Sequence, residues 1–373
     1  MKILISNYDY PGLVKGLENL GHTVLHEGYN WWPWCWGENK GTSKSPHEFH
    51  EFLTAECLQH KPDAVIIGKG FDSNQPLTSI KHNPGSTPTA KELGSWGKAR
   101  FWHILPKTIE YLKASGIMTM WLSLDQPDDF GWSIATGVPQ ICDAIGTCCI
   151  EVKDMYKRFT ASEVFEFWPA WDTELRSVSN PTKEHDFLII GTPYFTPNSQ
   201  FGIPRREIAL AALEIGVKPT IYGPEYWIDD NAGGSSDLKP YYKGFANWDD
   251  LHNIFAKSKI TYNSFLRRGF RYVNDRIFIA GPVSFLLMEN QIGLEMEFVA
   301  DKHVGWHQHK DIDDFKNKLK FWLENDNLRN NCLKAMQSNI LNNHTYLKRA
   351  ELIDSVLKKV SRKKESQKGC CRG

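Results

Sequence analysis

The feature that most restricts this chain is a rhythm that runs through it twice. Short β-rich runs alternate with segments of helical periodicity, first from Lys2 to about residue 170 and again from Phe187 onward. In the first half, Lys2–Asn7, Ala64–Gly68, Thr119–Leu122, Ala144–Thr147 and Val164–Phe167 read as strands. Leu13–Leu20, Phe101–Ser115 and Val152–Phe159 read as helices between them. In the second half the strands are Phe187–Gly191, Pro219–Tyr222, Lys259–Asn263 and Val283–Leu287. The helices are Arg205–Leu213, Trp248–Lys257, Asn274–Ala280, Asp311–Glu324, Leu328–Leu341 and Tyr346–Lys359. Apolar strands in series with helices predict parallel sheets covered on both faces. Two successive series predict an α/β chain of two doubly wound, Rossmann-like domains facing a cleft. The expected boundaries are 1–170, 185–345, and a C-terminal helix with an unordered tail at 346–373. The polar, Pro-flanked stretch Pro169–Glu184 reads as the linker.

Composition excludes several classes. The 44 basic and 44 acidic residues cancel, so no whole-molecule attraction to nucleic acid or anionic lipid is indicated. No apolar run is long enough to span a bilayer, and the start of the chain reads as a buried strand without a cleavage site behind it. The eight cysteines are scattered without zinc-type spacing, which predicts reduced thiols and a cytoplasmic setting. A nicotinamide enzyme is disfavoured, because Asn7-Tyr8-Asp9-Tyr10-Pro11-Gly12 does not place glycines as a dinucleotide fingerprint requires.

Open α/β sheets bind ligands beyond the carboxyl ends of their strands, so the residues there are the candidates. Gly191 and Thr192 end a strand, and Arg205 and Arg206 open the next helix. Glycine lets a phosphate approach backbone, and arginine offers a planar fork of donors. The competing reading is a strand-to-helix turn with two surface arginines. Beyond Asn263 lies a denser group, Arg267, Arg268, Arg271 and Arg276, interleaved with aromatic residues, with Asn274 or Asp275 placed to cap a helix. A diphosphate fits this chemistry; a solvated basic loop is the alternative.

In the first half, Asp125 and Asp128 follow the strand Thr119–Leu122. Asp125 is the candidate general base toward an acceptor hydroxyl, against the simpler reading of a turn with capping aspartates. Trp31-Trp32-Pro33-Trp34-Cys35-Trp36 carries four tryptophans in six positions. Trp34 and Trp36 are candidate acceptor contacts through stacking, or else they plug a long loop. The long insertions Gly28–Ser45 and Lys69–Gly97 have the length of functional loops. His303, His307 and His309 lack a third convergent ligand that the sequence can place, so no metal site is assigned.

The ordered series Ile221-Tyr222-Gly223, Tyr242-Lys243-Gly244, Ala256-Lys257-Ser258-Lys259-Ile260-Thr261-Tyr262-Asn263, Asn274-Asp275-Arg276-Ile277-Phe278 and His344-Thr345-Tyr346-Leu347-Lys348-Arg349 resembles the C-terminal half of spore-maturation-type glycosyltransferases. It covers about Asp186 to Leu352. In the first half only the βα rhythm and Trp121–Asp129 are similar to that family. More distantly, the chain resembles phage DNA-base glucosyltransferases, which place a base Asp after a comparable strand. The resemblance implies the GT-B fold, no essential metal, no cofactor, and a nucleotide-diphosphate sugar as co-substrate. It implies donor contacts at Gly191, Thr192, Arg205, Arg206, Tyr222, Gly223, Arg271, Asn274, Asp275 and Arg276, with Asp125 and Arg276 catalytic. The acceptor stays open between a small molecule, a glycan, a protein and a DNA base. One departure stands out: the family has a Glu that commonly holds the ribose where this chain has Ile279. Either Glu289 or Glu295 compensates from the next loop, or donor recognition is changed, or activity is lost and the chain binds donors without transferring sugar.

Overall fold

The structure is a computed structural model describing residues 1–6, 10–26, 46–68, 70–71, 101–102, 106–123, 130, 134, 137–193, 202–247, 250–265, 270–291 and 293–370. Its described residues divide into two units: one holds those up to Trp168 together with Tyr346 onward, and the other holds those of Pro169–Thr345.

The first unit is built on six parallel strands. They are β1 (Lys2–Ser6), β2 (Thr23–His26), β3 (Ala64–Gly68), β6 (Met118–Ser123), β7 (Ala144–Thr147) and β8 (Glu163–Glu166), in the order β2-β1-β3-β6-β7-β8. A two-residue antiparallel pair, β4 (Gly70–Phe71) with β5 (Phe101–Trp102), stands apart. The helices are α1 (Pro11–Asn19), α2 (Pro46–His60), α3 (Pro106–Ala114), α4 (Val138–Ile141) and α5 (Ile150–Tyr156). Every residue of β3, β6 and β7 is buried, as expected of strands covered on both faces.

In the second unit the strands are β9 (His185–Ile190), β10 (Pro219–Tyr222), β11 (Ser258–Asn263), β12 (Phe285–Glu289) and β13 (Gly305–His307), all parallel in the order β10-β9-β11-β12-β13. Pro219, which cannot donate to a ladder, opens the edge strand β10, where this costs least. Period-two alternation stacks Phe187 and Ile189 beside Ile260 and Tyr262, then Phe285 and Leu287, in one register-matched core layer. The helices are α6 (Arg205–Glu214), α7 (Leu251–Ala256), α8 (Asp275–Ala280), α9 (Ile312–Glu324) and α10 (Asp326–Asn343). Short 3₁₀ turns fill Glu225–Ile228, Asp230–Ala232 and Ser236–Tyr241.

The chain then returns to the first unit as α11 (Tyr346–Cys370). A Cβ on Gly16 of α1 would overlap the Cβ of Ala350, so the missing side chain lets α11 lie close. Tyr10 stacks on Tyr346 at 4.3 Å, and the His22 Nε2–Asp354 Oδ1 pair closes at 3.0 Å. Two expectations need correcting. The polar segment from Arg362 is helical as far as Cys370, not an unordered tail, because Lys359, Lys363 and Lys364 find Glu163, the Ala161 carbonyl and Asp143. Phe101-Trp102 forms a strand, with the helix starting only at Pro106.

Candidate active site

In the second sheet the chain passes from β9 to β10 on one side and, later, to β11 on the other. The strand order therefore reverses between β9 and β11, the point where sheets of this kind leave a crevice for ligands. Asn263 ends β11 one register step beyond the Tyr262–Ile189 pair, and Gly191 follows the last residue of β9.

Gly191 has φ +125°, a conformation that side-chain-bearing residues rarely adopt. Its backbone is held from three sides. The N–H donates to the Tyr222 carbonyl at 3.0 Å, the carbonyl accepts from Trp227 Nε1 at 2.6 Å, and Gly223 approaches so closely that a Cβ there would overlap the Gly191 carbonyl oxygen. Tyr242 in turn donates to the Gly223 carbonyl at 2.8 Å.

Two guanidinium groups meet on this fixed glycine. A Cβ placed on Gly191 would lie 3.2 Å from Arg205 Nη1 and 3.2 Å from Arg276 Nη2. Arg205 is the first residue of α6 and is only 6% exposed; its Nη1 donates to the Thr192 carbonyl at 3.1 Å and reaches Thr192 Oγ1 at 3.4 Å. Arg276, in the first turn of α8, donates to Asn263 Oδ1 at 3.2 Å. Asn274 fixes that contact. Its Oδ1 caps α8 by accepting from Ile277 N at 3.4 Å, while its Nδ2 donates to Asn263 Oδ1 at 3.1 Å and to the Ser264 carbonyl at 3.2 Å.

Burial pushes the Arg205 guanidinium down to about 9, and the neighbouring Arg276 charge adds to the fall. Burial also lowers Arg276, against the pull of Asp275 and Tyr272. Two desolvated, mutually repelling cations at a strand terminus form an arrangement that an anion relieves.

The remaining expected donor residues are placed as follows. Thr192, Tyr222, Gly223 and Asn274 belong to the same cluster through the contacts above. Arg206 turns to Glu207 Oε1 and the Gly233 carbonyl. Arg271 is half-buried with its stem against Gly293, and Asp275 is exposed. Asp125, Asp128, Trp34 and Trp36 lie outside the described residues, as do Arg267 and Arg268. Ile279, where the resembling family has its Glu, is buried in α8 at 3% exposure. Both oxygens of Glu289 meet protein donors, Ile203 N, Lys310 N and His309 Nδ1, while Glu295, exposed, accepts from Gly293 N.

The three histidines act separately. His307 Nδ1 donates to the Gln308 carbonyl at 3.0 Å, which leaves Nε2 to accept from the Tyr262 hydroxyl at 3.3 Å. Burial holds its pKa down at about 4. His309 pairs with Glu289 at 2.6 Å, and His303 Nδ1 accepts from Val299 N. Among the described residues no group of three or more His, Cys, Asp or Glu could hold a metal ion.

Trp227 and Asn263 were not foreseen as site residues. Asn263 carried a signal, a polar residue closing an apolar strand. Trp227 carried none, because it returns to Gly191 through the 3₁₀ turns.

Two parallel-sheet α/β units of this kind are the fold of GT-B glycosyltransferases. Sucrose-phosphate synthase from Thermosynechococcus elongatus is similar over 99% of each chain, at 9% identity and TM-score 0.56. Anabaena HepE in complex with UDP and glucose is similar over 96% of this chain and 100% of that one, at 10% identity and TM-score 0.53. The BGT of T4 phage in complex with its UDP-glucose substrate is similar over 96% of this chain and 99% of that one, at 11% identity and TM-score 0.53. Residues 205–355, which begin at Arg205 and include Arg276, match a family model described as glycosyl transferase-like. No curated protein sequence matches this one significantly. No helix among the described residues is long and apolar enough to cross a membrane.

Proposed function

We propose that this chain is a glycosyltransferase that takes a sugar from a nucleoside diphosphate sugar, with Arg205 and Arg276 holding the diphosphate over Gly191. The observation that carries the reading is the convergence of one buried and one half-buried guanidinium, Arg205 and Arg276, on a glycine at the switch point of a parallel sheet. As the sugar departs, negative charge builds on the diphosphate, and preorganised guanidinium donors stabilise that charge without reorganising. They supply there the charge that a divalent cation supplies in other phosphate sites, so transfer is expected to survive EDTA. The family match over residues 205–355 and the UDP-bound proteins of the same fold support this donor class. The ordered motif series supports the finer spore-maturation-type assignment, and the buried free cysteines among the described residues, Cys57, Cys142, Cys148, Cys149 and Cys332, support a cytoplasmic setting.

The test is binding and turnover of Arg276→Ala. Donor binding should disappear, or transfer should slow by about a hundredfold, the order seen on removing one charge-stabilising donor. Near-normal turnover would remove Arg276 from the site. The acceptor is addressed by offering a UDP-sugar panel with DNA, protein, glycan and small-molecule acceptors. The buried Ile279 favours a second reading, a module that binds sugar nucleotides without transferring from them. Calorimetric donor binding with neither transfer nor hydrolysis across that panel would establish it.

A further inference from the structure

We infer that Glu289 is a positioning residue that aims Arg205 at Gly191, and that it does so by anchoring the segment leading into α6. Glu289 ends β12 and is 4% exposed. A carboxylate at that depth is costly unless donors surround it, and here they do. Oε2 accepts from Ile203 N at 3.3 Å, and Oε1 accepts from Lys310 N at 2.9 Å and pairs with His309 Nδ1 at 2.6 Å. Lys310 occupies the left-handed region at φ +59°, a conformation the surroundings must impose on a lysine. Gly202 lies so close that a Cβ on it would overlap the Glu289 carboxylate, so the segment passes directly against this side chain.

From Ile203 the path to Arg205 is one residue long and stiff. Pro204 has its φ fixed by its ring, at −53°, and supplies no side-chain cap to α6. On the far side of Arg205, Arg206 N donates to the Pro193 carbonyl at 2.8 Å. The first turn of α6 is thus held at Ile203 by Glu289 and at Arg206 by the segment after β9, with Arg205 between the two anchors. Moving the Glu289 carboxylate would shift Ile203 and swing the Arg205 fork away from its partner on Gly191. Charge-assisted hydrogen bonds of this kind hold position more firmly than neutral ones.

The inference rests on the reading of Arg205 as a diphosphate ligand, and the test separates the two. Calorimetric affinities for UDP and for inorganic pyrophosphate are measured for wild type, Arg205→Ala, Arg276→Ala, Glu289→Gln and the Arg205→Ala/Glu289→Gln double variant. Glu289→Gln puts an amide donor against backbone donors and should weaken both ligands by about tenfold, the order of losing one charged hydrogen bond. In the Arg205→Ala background the same change should add nothing, because its route to the ligand has been removed. Equal fold-losses in both backgrounds, or wild-type affinity for Glu289→Gln, overturn the positioning role while leaving the diphosphate reading intact. Wild-type affinity for both arginine variants overturns the diphosphate reading and the positioning role with it. Should Glu289→Gln fail to fold, Gly202→Ala decides. It displaces the carboxylate without removing it, and should show the same loss in the wild-type background and none in Arg205→Ala.

Discussion

If Arg205 is kept for a ligand, removing it should make the empty protein more stable. Arg205→Met replaces a buried cation with an unbranched apolar chain that can occupy much of the same volume. The magnitude follows from the fall of the guanidinium from its ordinary value to about 9. At about 1.4 kcal/mol per tenfold, that fall corresponds to about 5 kcal/mol of desolvation and repulsion from Arg276, borne by a group that stays charged at neutral pH. The two contacts to Thr192 return about 1 kcal/mol each, and the apolar chain packs imperfectly, so the net gain should be about 2 kcal/mol. For a domain of this size that is a rise in melting temperature of about 4–8 °C.

The assay is thermal unfolding of both proteins with and without UDP. Wild type should gain about 2.7 kcal/mol at a ligand concentration about a hundred times Kd, and the variant should gain none. A variant that melts at or below wild type without ligand would refute the argument that the site stores unfavourable charge. A variant that responds to UDP as wild type does would refute the assignment of Arg205 to the ligand.

Gly191→Ala should cost about 1–3 kcal/mol from backbone strain at φ +125° and weaken UDP binding, since the new methyl meets both guanidinium groups; denaturant melts and calorimetry check the two effects. Asn274→Ala removes the cap of α8 and both contacts from Nδ2, so it should cost about 1 kcal/mol and loosen Asn263 from Arg276, read as a lower midpoint and weaker UDP affinity. His307 is neutral in the fold at pH values where an unfolded histidine is charged. Unfolding therefore takes up a proton as pH falls from 6.5 toward about 4, and His307 should withdraw about 3 kcal/mol of stability across that window. His307→Phe should flatten that part of the stability–pH curve, and an unchanged slope would count against the buried neutral imidazole.

The architecture was legible because alternation at two periods is a local signal. Apolar strands such as Ala64–Gly68 and helices with apolar stripes announce themselves within a few residues. What stayed hidden was set by packing at a distance. The helix Pro46–His60 begins Pro-His-Glu-Phe-His-Glu-Phe, which shows no clean 3.6-residue stripe. The order of Arg362 and the residues after it depends on Asp143 and Glu163, some two hundred positions upstream. In the site, the sequence supplied the glycine-plus-arginine vocabulary but not its selection. Arg205 and Arg206 are neighbours of the same type, yet successive helical residues point about 100° apart. One guanidinium goes to Gly191 and the other to Glu207, a choice settled by how Pro193 and Ile203 hold the first turn.

That selection explains why the site can sit at a switch point without relying on a glycine-rich phosphate loop. Arg205 comes from the helix after β9 and Arg276 from the helix after β11, and these two strands are neighbours whose following helices lead to opposite sides of the sheet. The topology alone therefore brings two side chains separated by 71 positions of sequence to one point, and Gly191 leaves room for them there. Each arginine is restrained by neutral oxygens, those of Thr192 and Asn263, which orient a guanidinium without cancelling its charge. A carboxylate at either place would have stabilised the empty fold and weakened its hold on an anion. On that proposal the physical signature of the ligand site is the mismatch itself: side chains ordered as carefully as a core, carrying charge that the fold alone is expected to be more stable without.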